Sequence, residues 1–165
     1  MKVNYSLHSC LCGFHGDSQH ECTCSPQQVQ RYRAKISGPL LDRIDIQIEV
    51  PAVKYKELSQ RAPSEDSAAI RQRVNQARAG QLQRFTGRPL FCNAQMTTRD
   101  IRKFCQLDVA GEKLLESAMV RLGLSARAYT RILKVARTIA DLAGEERVGS
   151  AQLAEAIQYR ALDRK

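Results

Sequence analysis

The stretch Gly123-Leu-Ser-Ala-Arg-Ala-Tyr-Thr-Arg-Ile-Leu-Lys-Val-Ala-Arg-Thr-Ile-Ala-Asp-Leu-Ala-Gly144 decides the fold class. Ser125 is a residue type that caps helix N-termini. After it, Ile132, Ala136 and Ile139 recur at the three- and four-residue spacing that lines one face of an α-helix. Gly123 and Gly144 stand where helices stop, because glycine enters the left-handed conformation that closes a C-terminus. The spacing therefore predicts a helix over Ala126–Leu142. Its other face carries Arg127, Arg131 and Lys134 at i, i+4 and i+7, with Arg137 following, and no acidic residue falls between Ser117 and Ala140. Cationic helix faces are commonly just solvated. An uncompensated run from Arg121 to Arg137 nevertheless makes this one a candidate for phosphate contacts.

The same signals extend over residues 97 to 161 as four helices. Thr97 with Asp100 forms a capping pair, Asp108 precedes Leu114, Leu115, Ala118 and Met119, Ser125 opens the longest helix, and Ser150 precedes Leu153 and Ile157. Short connections between amphipathic helices predict a compact bundle. Upstream, a helix from about Glu65 to Phe85 places Ile70, Val74 and Ala77 on one stripe, and Gly87-Arg88-Pro89 breaks it. Residues 51–64, with Pro51 and Pro63, read as a linker.

Ile44, Ile46, Ile48 and Val50 alternate with Asp45, Gln47 and Glu49 up to Pro51, the pattern of a half-buried β-strand. A lone strand is not stable, so its partners must lie elsewhere. Ser25 as N-cap and Pro26 at the first helical position open a short helix through Gln27–Ile36, which Ser37-Gly38-Pro39 ends. The expected fold is mainly α: a C-terminal helical bundle following a cysteine-rich segment and a small remnant of an α/β core with one clear strand. Three parts follow, 1–51, 52–96 and 97–165.

Cys10-x-Cys12 and Cys22-x-Cys24 gather four of the six cysteines near the N-terminus, together with all three histidines, His8, His15 and His20. Four thiolates match zinc in softness and complete a tetrahedron, so in a reducing compartment the cluster reads as a metal site. The C-x-C bite is tighter than the common C-x₂₋₄-C knuckle, and free thiols or disulfides are the alternatives. Gly13, Gly16 and Asp17 supply turns between the pairs, and His20 is the substitute ligand should a cysteine disengage. Cys92 and Cys105 stand alone and read as small buried apolar residues.

The chain has 165 residues, 26 Lys+Arg against 17 Asp+Glu, and a formal net charge of +9, which favours polyanionic partners, nucleic acid or nucleotide phosphates. Five tyrosines, four phenylalanines and no tryptophan leave few platforms for base stacking, so any DNA contact is expected to be mostly to phosphate. No apolar run approaches the roughly 18 residues that cross a bilayer. Val3-Asn4-Tyr5-Ser6-Leu7-His8 is no signal-peptide core, and the expected location is the cytoplasm. Neither G-x-x-x-x-G-K-[ST] nor G-x-G-x-x-G occurs, and no Ser-His-Asp or paired-carboxylate arrangement can be assembled, so neither unaided ATP binding nor independent hydrolysis has a candidate site.

Cys10-Leu-Cys-Gly, Cys22-Thr-Cys, Ser37-Gly-Pro-Leu-Leu-Asp-Arg-Ile-Asp45 and the Gly123–Gly144 stretch together resemble the C-terminal part of the magnesium-chelatase-like AAA+ ATPases, in their ComM (YifB) branch, from about Cys10 to Asp163. The resemblance implies the end of an ATPase core and its helical lid, in a homo-oligomeric ring that uses ATP and magnesium only as a full-length assembly and drives DNA branch migration in natural transformation. It implies that Arg43 is the arginine finger reaching a neighbouring subunit's nucleotide and that Arg127 is the lid's sensor-two arginine. A guanidinium that forks onto phosphate oxygens suits both roles. The simpler reading of Arg43 is a surface ion pair with Asp42 or Asp45. Arg131 and Lys134 are the candidate DNA contacts. Family members carry an asparagine two residues before the first cysteine as sensor one, where this chain has His8. A chelatase-type metal-insertion motor and a stand-alone nucleic-acid-binding module are the alternative functions.

Overall fold

Seven α-helices account for the regular structure of the computed structural model, which describes residues 8–17, 19–51, 53 and 65–160. They are α1 (Pro26–Arg33), α2 (Gly38–Leu41), α3 (Ser67–Arg84), α4 (Thr98–Phe104), α5 (Val109–Leu122), α6 (Ala126–Leu142) and α7 (Ser150–Gln158), with a 3₁₀ turn at Asn93–Gln95. The chain divides into two compact units, one of residues 42–48 and 63–165, the other of 1–41 and 49–62. The fold is mainly α, as the periodicity predicts.

In the larger unit α6 is the hub, packing against α3, α4, α7 and the 3₁₀ turn, while α5 packs on α7. Its start is fixed by Ser125, whose Oγ accepts the Ala128 N–H at 3.2 Å. Its end is fixed by Gly144 at φ 73°: the Gly144 N–H reaches the Asp141 carbonyl at 3.2 Å and the Glu145 N–H reaches the Ala140 carbonyl at 2.8 Å. Gly123, at φ 60°, closes α5 with the same pair of bonds, to Val120 and Met119. Between its caps α6 buries Ala128, Ile132, Leu133, Ala136 and Ala140 against Phe85, Met96, Ile101, Cys105, Leu115, Val148, Leu153 and Ala156, and Ile139 packs at the margin. Each buried Ile or Leu of this set contributes roughly 1.5–3 kcal/mol relative to exposure. The remaining expected caps are present, Thr97 with Asp100 reciprocally on α4 and Asp108 accepting from Gly111 on α5. Gly149, not Ser150, is the N-cap of α7, its N–H held by the Gln152 side chain at 3.0 Å.

Three expectations are corrected. Residues 44–50 form no β-strand; among the described residues there is none. Extended backbone becomes a strand only when a neighbouring strand satisfies its polar groups. Here they bond to two arginine side chains and to one carbonyl just beyond α7: the Gln47 N–H donates to the Tyr159 carbonyl at 2.9 Å, Arg160 donates to the Ile44 carbonyl, and Arg131 Nη1 donates to the Arg43 carbonyl at 3.0 Å. The alternation is inverted as well, since Gln47 is buried while Ile46, Ile48 and Val50 are 52%, 64% and 80% exposed. The stripe on α3 is covered only at Ala77; Ile70 and Val74 each remain 41% exposed, because the bundle meets only the C-terminal half of that helix. Finally, α1 stops at Arg33, and Lys35 and Ile36 close it with turn bonds to Tyr32 and Arg33. The linker expected at 51–64 lies, apart from Pro51 and Val53, outside the described residues.

Under the bundle runs a buried polar network that periodicity did not announce. Asp141 accepts from Arg84 with both oxygens (2.9 and 2.5 Å), from Arg137 Nε at 3.0 Å and from Asn93 Nδ2 at 2.7 Å. Arg137 is buried too, and its other nitrogens bond to the carbonyls of Glu145 and Glu146 just beyond α6. The fourth cation of the helix is therefore an internal strut, satisfied by one carboxylate and two carbonyls.

Candidate functional site

In the smaller unit the backbone turns back between the cysteine pairs. Gly13 and Gly16 both take φ 85°, and the Gly13 N–H bonds to the Cys10 carbonyl at 3.3 Å. The Asp17 carboxylate then accepts the N–H groups of Gln19 and His20, at 2.6 and 3.2 Å, and holds the second turn. This folding brings together all four sulfurs of Cys10, Cys12, Cys22 and Cys24, within 4.8 Å of one another. Cys10 lies 3.3 Å from Cys12 and 3.8 Å from Cys22, and Cys12 lies 3.5 Å from Cys22. Four sulfurs around one tetrahedral ion, each about 2.3 Å from it, stand about 3.8 Å apart. The cluster fits one such ion and could hold it. No pair is disulfide-bonded.

Electrostatics point the same way. The Phe14 backbone N–H favours the Cys12 thiolate and, with the Cys10 sulfur and the Thr23 backbone, brings its pKa down to about 5. The Cys24 backbone favours ionisation of Cys22 in turn, but burial and the neighbouring Cys12 and Cys10 sulfurs outweigh it and push that thiol up to about 12. Sulfurs this close do not all ionise without a cation among them. His20 is not among the ligands: its ring stacks on Phe14 at 4.8 Å and its Nδ1 lies 3.7 Å from Asp17 Oδ2.

The candidate nucleotide and DNA residues sit in the larger unit. Arg127 is exposed in the first turn of α6, and its guanidinium makes no ion pair with a described residue. One turn on, Arg131 pairs with Asp45 and binds the Arg43 carbonyl, while Lys134 Nζ donates to the Ala94 carbonyl at 2.9 Å. Arg43 is exposed. Asp45 pairs with Arg131, and Asp42 lies 3.7 Å from Arg160. Cys105 is buried in the bundle core, where desolvation pushes its thiol up to about 11, whereas Cys92 is only half-buried beside Gln95. Sequence reasoning missed Asp141, Arg84 and Asn93. The available signal was Asp141 itself, the first carboxylate after Glu116 and the obvious counter-charge for the cations between.

Two stretches of the chain match known families. Residues 64–160 match the family model described as magnesium chelatase, subunit ChlI C-terminal, and residues 2–58 match that of magnesium chelatase, subunit ChlI. The chain belongs to the magnesium chelatase ChlI family, as a ComM-like member. It is 45% identical over 141 residues to competence protein ComM of Haemophilus influenzae, which covers 85% of this chain and 27% of that protein. It is 42% identical over 142 residues to the uncharacterized protein YifB of Escherichia coli, covering 86% of the chain and 27% of YifB. An uncharacterized protein of Mycobacterium tuberculosis is 34% identical over 140 residues, 85% of the chain and 28% of that protein. The chain thus spans about a quarter of the length of the curated relatives it matches. No helix among the described residues is long and apolar enough to cross a membrane.

Proposed function

We propose that this chain is the arginine-finger and lid portion of a ring-forming, ComM-like ATPase that drives DNA branch migration in natural transformation. The observation that carries this reading is Arg127: an exposed cation without an ion pair among the described residues, in the first turn of α6, where free backbone N–H groups also favour an anion. In that position Arg127 acts as sensor two on a nucleotide phosphate, and Arg43 acts in trans as the finger that offsets charge developing on the transferred phosphoryl group. ATP and magnesium are bound by the assembled full-length ring, in the cytoplasm. Zinc fits the four sulfurs of Cys10, Cys12, Cys22 and Cys24 and serves as a structural clamp, in a segment with too little apolar surface to hold its own turns.

The name of the matching family supports a second reading, a metal-insertion motor of the chelatase type. The test is made on a full-length relative such as ComM of Haemophilus influenzae. Alanine at the position equivalent to Arg43 leaves nucleotide binding nearly intact and lowers turnover by about 10³ or more, the range of trans-acting arginines. Equal loss of binding and turnover returns Arg43 to a folding role. Stimulation of that turnover by branched DNA supports the DNA motor; indifference to DNA supports the chelatase reading.

A further inference from the structure

The helix α3 is unusual for its length. Of its 18 residues only Ala77 and Gln81 are buried, and residues 67–99 contain no acidic residue. A helix this polar and this exposed is ordinarily held by i, i+4 ion pairs along its length, yet α3 offers no carboxylate to make one. It has an external pair at each end: at its start Glu65 takes both Arg73 nitrogens at 2.5 and 3.1 Å and neutralises that arginine, and at its end Arg84 holds Asp141. What remains is the side opposite Ala77 and Gln81. At about 100° per residue that side carries the exposed Gln72, Asn75, Gln76 and Ala79, with Arg71 and Arg78, seven residues apart, in line along its flank. Arg71 makes no ion pair with a described residue, and Arg78 is steadied by Gln81 Oε1 at 3.0 Å with donors to spare.

We propose that this flank of α3 lies on the phosphate backbone of a DNA duplex, with Arg71 and Arg78 each contacting a phosphate and Asn75 donating between them. The proposal rests on the DNA-motor reading above and moves the contact away from Arg131 and Lys134, which already hold Asp45, Arg43 and Ala94. The charge is complementary. Arg71 and Arg78 stand about 10 Å apart along the axis, roughly the rise of three phosphates on one strand. Amide side chains suit a backbone read without sequence preference.

The test is a salt titration of the full chain with a fluorescein-labelled duplex of about 20 base pairs, followed by anisotropy. Replacing both residues, Arg71→Gln with Arg78→Gln, is expected to weaken binding and reduce the log–log salt slope by about 2, whereas Arg131→Ala with Lys134→Ala leaves the slope within about half a unit. The paired Arg→Lys changes, which keep the charge, restore most of the slope. An unchanged melting curve shows that the glutamine variant still folds. A slope lost with Arg131 and Lys134 but not with Arg71 and Arg78 overturns the proposal, as does a wild-type chain that binds labelled polyglutamate as tightly as the duplex. So does a wild-type chain with no duplex binding. The motor reading is judged separately, on the turnover of the full-length relative.

Discussion

Arg84 grips the Asp141 carboxylate through two nitrogens, at 2.9 and 2.5 Å, and so ties the end of α3 to the end of α6 across 57 positions of sequence. Arg137 approaches the same carboxylate from within α6 and spends its other donors on the turn at Glu145 and Glu146. The clamp thus sets the direction of α3, the C-terminal cap of α6 and, through Asn93, the 3₁₀ turn.

Removing its centre should be costly. Asp141→Ala leaves two arginines facing each other, one of them fully enclosed, and is expected to destabilise the larger unit by about 3–5 kcal/mol. Urea denaturation followed by circular dichroism measures it. A loss below about 1 kcal/mol would show that the arginines find water or other acceptors.

Acid should undo the bundle in a defined window. Asp100 is held far below the ordinary carboxylate range by Arg88 and by the Thr97 side chain and N–H, and Asp141 is lowered by Arg84 and Asn93 against the effect of burial. A carboxylate depressed in the folded state adds stability above its unfolded pKa of about 3.9, and that contribution is lost as pH falls below it. Denaturation midpoints are expected to hold level from pH 7 to about 5 and then to drop. Asp100→Asn, measured over the same range, flattens the drop; an unchanged slope assigns it to other groups.

Metal content tests the cysteine cluster. Protein purified without chelator is expected to carry about one zinc per chain, and Cys22→Ser to lose it and to shift the amide resonances of residues 8–24 while leaving those of α6 in place. A metal-free wild type with an unaltered spectrum in the serine variant argues for four plain thiols.

The chain by itself is expected to show no ATP turnover above a buffer blank, since it contains no phosphate-cradling loop. A coupled phosphate-release assay checks this. In a full-length relative, alanine in place of Arg127 is expected to uncouple turnover from strand movement while leaving DNA affinity within about twofold, measured by branch-migration and binding assays side by side.

Much of the larger unit was legible because its helices announce themselves locally. Ser125, Thr97 and Asp108 cap where their side chains predict, and Gly123 and Gly144 close where only a left-handed residue fits. The cysteine spacing likewise predicts the cluster that the turns assemble. What failed depends on partners distant in sequence. Alternation at Ile44–Val50 reports a preference for extended backbone, but whether that backbone pairs with a strand or with Tyr159 and Arg160 is decided more than a hundred residues away. Arg137 read as one more cation of the run that holds Arg127, Arg131 and Lys134, because charge alone does not say which cation has a carboxylate waiting beneath it.

The bond from Arg131 to the Arg43 carbonyl carries a mechanical meaning. Arg131 is one helical turn from Arg127, so the residue proposed to sense one nucleotide and the residue proposed to reach the next are strung on a single rod. On the proposed assignment, each such rod would span two nucleotide pockets of a closed ring. On that assignment a swing of α6 that follows phosphate loss at one pocket would drag the finger out of, or into, its neighbour. Hydrolysis around the ring would then advance like the teeth of an escapement, each release arming the next, and cutting Arg131 would let the pockets fire out of step.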